Sequence, residues 1–521
     1  MFFHEFHVIL VAMVVLLAIQ CSLTNLPLSL TFHHPHHPHH HHSSFIQAAK
    51  IDYHQVLDDY MKQPTPSYSY QYLYQYTNSY ATIHVLNMTS VFWLTSKEIG
   101  RRHEWFHYIE IAIPHSLDKN KKEGLLMITG GSQQSSPPRG DSELSIMSFL
   151  TQSICSAIHQ IPNQPIVFES DPLKKSRVED GILAFAWAHF LNHTDETNWI
   201  PRLPMVKSSL LAMDTIQDYT SNQIPNVHIE QFTIAGASKR GWTTWLVGVA
   251  DLKHRVKSII PIVIPVVKTR QVLEHTFNSI CGWPEAMNDY VQEGITAQLN
   301  SDAFKKLTEV IDPFEYNSRL SKTNKYMVNA VGDQFFWPDL SQFSYNELDG
   351  GDEYRHLRYV PNADHSLAGT DAFMTIAAYY YGVLNRIEMP IYNFTAQYDS
   401  NGMRLTLNIR NGKKPTSVLL WQAFNPKARD FRVQTIGNSA WKSTPLVVDE
   451  NSLSWRVYMK NPPKSSNSNN NNNGDGGTSG GGYTAFMIEM TFDDYFKLPI
   501  PAPLKFTTSA YILPQTFPCK Y

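Results

Sequence analysis

A chain of 521 residues is too long for one ordinary core, since single domains usually hold about 100–200 residues, so two domains are expected. Hydrophobic residues make up 42% and aromatic residues 12%, as in a globular protein, while a formal charge of −3 and a pI near 6.8 leave no basic excess to meet a phosphate backbone. That balance excludes nucleic acid as a partner.

The amino terminus reads MFFHEFHVILVAMVVLLAIQCS. Its uninterrupted apolar run, residues 8–19, is shorter than the ~20 residues a spanning helix needs and reads as part of a secretion signal over residues 1–21. The segment ahead of it departs from the usual pattern, carrying His4, Glu5 and His7 but no Lys or Arg. No later stretch approaches ~18 apolar residues, so no membrane span is expected in the mature chain. Export fits three glycosylation triplets, at Asn87, Asn192 and Asn393. Four cysteines make no disulfide framework, and if Cys21 leaves with the signal, Cys155, Cys281 and Cys519 allow at most one internal bridge plus a free thiol.

A His-rich segment follows over residues 22–50, with HHPHHPHHHH at 33–42. Its prolines and its lack of thiolate or carboxylate partners mark low complexity rather than an ordered metal site. Next, Tyr68, Tyr70, Tyr72, Tyr74 and Tyr76 recur at period two, so a strand would put all five on one face, against the protein or against sugar rings. HEWFHYIEIAIP alternates as a strand that Pro114 stops. The RGD at 139–141 lies in a Pro- and Ser-rich loop, where three residues are cheap by chance.

From residue 124 strands alternate with helices. GLLMITGGS and QPIVFESD read as strands, VEDGILAFAWAHFL as a buried helix, and PMVKSSLLAMDTIQDY as a helix opened by Pro204. IEQFTIAG, SIIPIVIPVV and YMVNAVGD supply further apolar strands, with WTTWLVGVA as helix. This alternation predicts a doubly wound α/β fold over residues 51–389, with its reactive groups at the carboxyl ends of the strands. Beyond Met389, RLTLNIRNGKKPTSVLLWQAF, FRVQTI, LSWRVYMK and YTAFMIEMTF predict a small β-sandwich over 390–521, and the Asn- and Gly-rich residues 466–482 read as a disordered hairpin loop.

A serine hydroxyl becomes nucleophilic when a histidine takes its proton and a carboxylate orients the imidazole. In α/β-hydrolases the three occur in the order Ser, Asp, His, with the serine on a sharp strand-to-helix turn. Here Ser238 follows FTIAG, Asp333 follows YMVNAVG, and His365 lies in VPNADHSLAG, each at a predicted strand end or in a loop. Asp339 is the alternative acid; Asp171, Glu179 and Asp180 read as helix-start charges or structural partners. The backbone N–H groups of Gly131 or Ser132, in the ITGGS turn, and of Lys239 are placed to hold an oxyanion. One feature departs from the usual G-x-S-x-G: Arg240 stands two residues after the serine and the glycine is delayed to Gly241. This chemistry needs no metal and no cofactor.

RVEDGILAFAWAHF, LPMVKSSLLAMDTIQDY, FTIAGASKRGWTTWL, VGDQFFWPD, VPNADHSL and LLWQAFNPKARDFRV together resemble the PhoPQ-activated pathogenicity-related protein family, over about 57–518. The resemblance implies an α/β-hydrolase-like fold and carries Ser238, Asp333 and His365 as candidate positions, without a substrate. With the signal, the His tract and the Asn-rich insert, it further implies a secreted factor with which dividing cells limit their own number. Two readings follow: a repressor that binds a cell-surface receptor or secreted protein partner with the hydrolase fold as scaffold, or a secreted serine hydrolase of an ester or peptide bond. A third is a carbohydrate-binding protein that uses the tyrosine face.

Overall fold

A computed structural model describes residues 50–140, 142–447, 453–463, 481–493 and 495–521. The expected signal, the His tract and most of the Asn/Gly-rich insert lie outside the described residues. Among those described, no helix is long and apolar enough to cross a membrane.

A nine-stranded sheet organises the chain. It contains β1 (Ser69–Thr77), β2 (Ala81–Phe92), β3 (Glu104–Pro114), β4 (Glu123–Ile128) and β5 (Cys155–Ile158). After a separate ribbon of β6 (Ile166–Val167) and β7 (Ser176–Arg177), the sheet is completed by β8 (Gln231–Ala237), β9 (Val256–Ile262), β10 (Asn324–Ala330) and β11 (Arg355–Val360). The spatial order is β1-β2-β3-β5-β4-β8-β9-β10-β11. β1 to β5 join antiparallel and every junction from β5 to β11 is parallel. β8, β10 and β11 are buried almost end to end, as strands covered on both faces must be. The helices Arg202–Gln223 and Lys239–Ala250 pack together on one face, and Ser142–Thr151 with Ala372–Leu384 on the other. This is the α/β-hydrolase-like doubly wound order. The winding reverses between β4 and β8, and it is at the carboxyl ends of strands flanking such a reversal that doubly wound sheets place their sites.

Three expectations about local structure are corrected. The five tyrosines do not share a face: Leu73 is a bulge, with Tyr72 opposite Leu86 but Tyr74 opposite Val85. Neighbours in β2 point to opposite faces, so one extra residue turns the row over. Tyr68 and Tyr70 reach Thr215 and Asp218 of the helix Arg202–Gln223, and Tyr72 stacks on Tyr219, whereas Tyr74 donates to Pro138 O and Tyr76 to Glu110 Oε1. Of the segment QPIVFESD only Ile166–Val167 is a strand, in the separate ribbon with β7, and the place beside β4 in the large sheet is taken by β5, of sequence CSAI. Asn163 binds both the N–H and the carbonyl of Phe106 and turns the following chain away, where Phe168 stacks between Phe185 and Trp199.

Residues beyond Met389 form two antiparallel sheets. One has the order β12 (Tyr392–Asp399), β13 (Gly402–Ile409), β16 (Ser454–Lys460); the other runs β15 (Lys442–Pro445), β14 (Ser417–Asn425), β17 (Tyr483–Phe492), β18 (Leu504–Thr507), with β19 (Tyr511–Leu513) also on β17. The third correction follows: β16 and β17, which flank the Asn-rich insert, belong to different sheets, so the insert joins two sheets and is no hairpin. The second sheet packs on the first part of the chain through Phe506, whose ring lies 5.7 Å from Tyr326 and 4.7 Å from His356, and it meets β12 of the other sheet at Tyr392, 5.5 Å away. Cys281 and Cys519 form a disulfide, and Cys155 is a buried free thiol that burial pushes up to about 12.

Candidate active site

β8 passes into the helix Lys239–Ala250 through one residue, Ser238, at φ 56° and ψ −126°. These are the dihedrals of the first central residue of a type II′ turn, a position that favours glycine. The glycines on either side are sterically required. A Cβ on Gly236 would lie 2.7 Å from Arg240 O, and one on Gly241 would lie 2.5 Å from Ile264 Cγ2 and 2.9 Å from Gly236 O. The delayed glycine therefore serves the close approach of helix to strand, while the side chain of Arg240, itself buried, extends to the loops beside it. Its guanidinium rests on Gly130, where a Cβ would come within 2.5 Å of Nη2. Nε donates to Ile161 O at 2.5 Å, and both Nη atoms donate to Glu179 at 2.6 Å.

Asp333 follows β10 and His365 follows β11. His365 Nδ1 lies 2.7 Å from Asp333 Oδ2, with the two side chains 8% and 2% exposed. Asp333 Oδ1 accepts the N–H groups of Phe335 (2.8 Å) and Phe336 (3.2 Å), and the His365 N–H donates to Gln334 Oε1 at 2.9 Å. The Phe335 ring centroid is 4.7 Å from the imidazole. With Nδ1–H held by the carboxylate, Nε2 carries the free lone pair; it is buried and has no hydrogen-bond partner, Ser238 Oγ included. The structure thus joins the acid and the histidine and leaves the serine link open. In unliganded enzymes that link is commonly long and closes with substrate.

Asp339 lies elsewhere. It is 2.9 Å from His275 Nε2 and accepts from Arg429 Nη2 at 2.5 Å, at the floor of a cleft of about 360 Å³ also lined by Gln342, Phe343 and Phe517. The oxyanion candidates leave adjacent parallel strands: Ile128 pairs with Gly236, the turn through Gly131 and Ser132 follows the one, and Ser238 and Lys239 follow the other. Gly131 is at φ 125°, and Ser132 is pinned by Gln134 N–H on its Oγ and Gln160 Nε2 on its carbonyl. The Lys239 N–H is the first of its helix and has no intrahelical acceptor. Its ammonium turns away, 3.0 Å from both Glu179 and Asp180.

Glu179 and Asp180 sit at the start of the helix Asp180–Asn192, yet Glu179 makes no side-chain cap and itself holds φ 52° and ψ −124°. Burial raises its carboxyl, but Arg240 and Lys239 outweigh that and hold it well below the carboxylate range. Arg202, fully buried under the elbow, donates to Lys239 O at 2.6 Å and stacks on Trp242; burial pushes its guanidinium down to about 10. Asp171 pairs with Arg177. Sequence reasoning missed the Glu179–Arg240 and Asp339–Arg429 pairs, because the partners are 61 and 90 residues apart. The one available signal was an arginine where the elbow usually has a small residue.

Of the three triplets, Asn192 is exposed at the end of its helix. Asn87 and Asn393 are half-buried inside strands, with Asn87 Oδ1 buried and unpaired. Arg139 of the RGD lies over Tyr74, and Asp141 falls outside the described residues.

A model of the PhoPQ-activated pathogenicity-related protein family matches residues 57–432. The chain is 33% identical over 388 residues to autocrine proliferation repressor protein A of Dictyostelium discoideum, a match covering 73% of this chain and 76% of that one. Among solved structures, it is similar to acetyl xylan esterase 1 from Thermoanaerobacterium sp. JW/SL YS485, at 15% identity and TM-score 0.41 over 64% of this chain and 92% of that one. An acetyl xylan esterase from Paenibacillus sp. R4 matches at 13% identity and TM-score 0.43, over 64% and 94%.

Proposed function

Because the chain belongs to the PhoPQ-activated pathogenicity-related protein family, we propose that it is an extracellular repressor of cell proliferation built on an α/β-hydrolase-like scaffold. The observation that carries this reading is its 33% identity, across most of both chains, to a protein named an autocrine proliferation repressor. Export is supported by the amino-terminal apolar run at residues 8–19, and the partner is a cell-surface receptor or another secreted protein. The test is to add the purified chain to dividing cells that lack it: cell density at arrest should fall with dose. Unchanged growth across the dose range refutes the reading.

A second reading, a serine hydrolase of esters or peptides, is favoured by the 2.7 Å Asp333–His365 contact and by the backbone at Ser238. In it, the Ser238 hydroxyl adds to the acyl carbon while His365 Nε2 takes its proton. The N–H groups of Lys239 and of Gly131 or Ser132 receive the oxyanion, and as the bond from the acyl carbon to the leaving group breaks, the imidazolium, held by Asp333, gives that group the proton and leaves Ser238 acylated. Water enters by the same steps in reverse and frees Ser238. A fluorophosphonate probe should label the wild-type chain and spare Ser238→Ala. Growth inhibition by the same two proteins then tells whether repression needs the hydroxyl.

A further inference from the structure

Residues 425–441, which follow β14, reach back to the two loops that carry Asp333 and His365. Val433 N–H donates to Gly332 O at 3.0 Å, and Gly332 N–H donates to Ala363 O at 2.9 Å. No side chain fits at Gly332, since a Cβ there would lie 2.4 Å from Val433 Cγ2 and 2.9 Å from Ala363 O. Trp337 Nε1 donates to Arg429 O at 2.9 Å, and the Arg432 guanidinium lies 5.2 Å from that ring. On the other loop, Asn362 Oδ1 accepts the Trp441 N–H at 2.9 Å while its Nδ2 donates to Trp441 O at 3.0 Å. Each loop is therefore braced close in sequence to the group it carries: Gly332 precedes Asp333 directly, and Asn362 stands just ahead of His365.

We propose that the Asn362–Trp441 brace and the Val433–Gly332 contact are positioning elements of the Asp333–His365 pair. The C-terminal sheets are then part of the site and not a separable module. The catalytic consequence rests on the hydrolase reading of Ser238; the positioning itself does not. The two loops are already tied to each other through Gly332 to Ala363 and Gln334 to His365, so they behave as one unit. What the C-terminal segment adds is a fixed seat for that unit, because a loop held only at its strand ends keeps the freedom to open locally.

Asn362→Gly in the full chain is the decisive variant. Glycine takes the native φ of 55° without strain, and both side-chain hydrogen bonds to Trp441 are lost. An imidazole Nδ1–H held by a carboxylate gives a low-field proton resonance, assigned here by its disappearance in Asp333→Asn. In Asn362→Gly this proton should exchange with water at least tenfold faster, with the far-ultraviolet circular dichroism unchanged, and Asn362→Asp, which keeps the acceptor for the Trp441 N–H, should recover part of the protection. Gly332→Ala, which displaces Val433, should give the same signature from the other loop. Unchanged exchange in Asn362→Gly overturns the proposal, and so does a wild-type chain with no such resonance, since the pair to be positioned is then not formed. Fluorophosphonate labelling separates the two claims. If Ser238 labels in the wild type, the rate should fall at least tenfold in Asn362→Gly; if it never labels while the proton still depends on Asn362, the hydrolase reading alone fails.

Discussion

Replacing Ser238 by glycine should make the protein more stable than replacing it by alanine. Alanine keeps the positive φ of 56° and its cost, whereas glycine at ψ −126° is unstrained. Such backbone costs about 1–3 kcal/mol for a residue with a Cβ. Glycine gives back about 0.5–1 kcal/mol because its unfolded chain has more freedom. Loss of the half-buried β-carbon costs little more, so the glycine variant should exceed the alanine variant by about 1 kcal/mol. The hydroxyl is removed in both and does not enter the difference. Urea unfolding of the two variants in parallel, followed by tryptophan fluorescence, measures it, and equal slopes license the comparison of midpoints. A glycine variant no more stable than the alanine variant refutes the reasoning, because Ser238 would then not hold the turn conformation in solution.

Three further outcomes are expected. Asp333→Asn should slow fluorophosphonate labelling of Ser238 by about three to four orders of magnitude, by releasing the tautomer that leaves Nε2 bare; a loss below tenfold in a stopped labelling assay argues that the dyad does not serve the serine. Glu179 is held below its ordinary value of 4.5, so its contribution is present above that pH and disappears as the pH falls below it. Glu179→Gln should then cost about 1–3 kcal/mol near pH 7, with the side chain 34% exposed and the value reduced accordingly. Its melting temperature should also fall less steeply in acid than that of the wild type. Cys519→Ser opens a bridge of sequence separation 238, for which chain entropy gives about 5 kcal/mol. The contacts of Tyr521 with Asn278 and Thr296 remain, and a denaturation midpoint insensitive to both the substitution and to reductant would falsify the bridge.

Ser238 and Asp333 were legible because buried parallel strands are nearly continuous apolar runs, and the residue after such a run must stand at the strand end; β11, of sequence RHLRYV, is no such run, so His365 could be read only as a loop residue. Spacing alone could not separate Asp333 from Asp339, since both follow β10. What differs is the partner, His365 for one and His275 with Arg429 for the other. Leu73 carries no signal of the bulge that turns the tyrosine row over, because any residue can occupy it. β5, four residues with a serine in the middle, offers too little periodicity to be seen. The insert between β16 and β17 looked like a hairpin for want of any cue that its flanking strands join different sheets. Local patterns carried the elements and their ends; pairings across tens of residues, which fix register and charge partners, did not show.

Ser238 is not alone in its backbone. Glu179, at φ 52° and ψ −124°, repeats its conformation at the start of another helix, and the two turns are joined through Lys239 and Arg240, which follow the serine and bind Glu179. Each turn costs of order 1–3 kcal/mol, so it persists only where its surroundings over-determine it. Here they do: Arg240 is fixed by Glu179, by Ile161 O and by the absence of a side chain at Gly130, and Arg202 holds the Lys239 carbonyl from below. Such an arrangement at an inner rim is what the hydrolase reading of Ser238 requires, and a scaffold used only through its outer surface does not require it. The glycine variant turns this into a decision about biology. If the Ser238→Gly chain, more stable than Ser238→Ala, still arrests growth at wild-type doses, repression acts through the surface; if it stays folded and loses potency, repression acts through the hydroxyl.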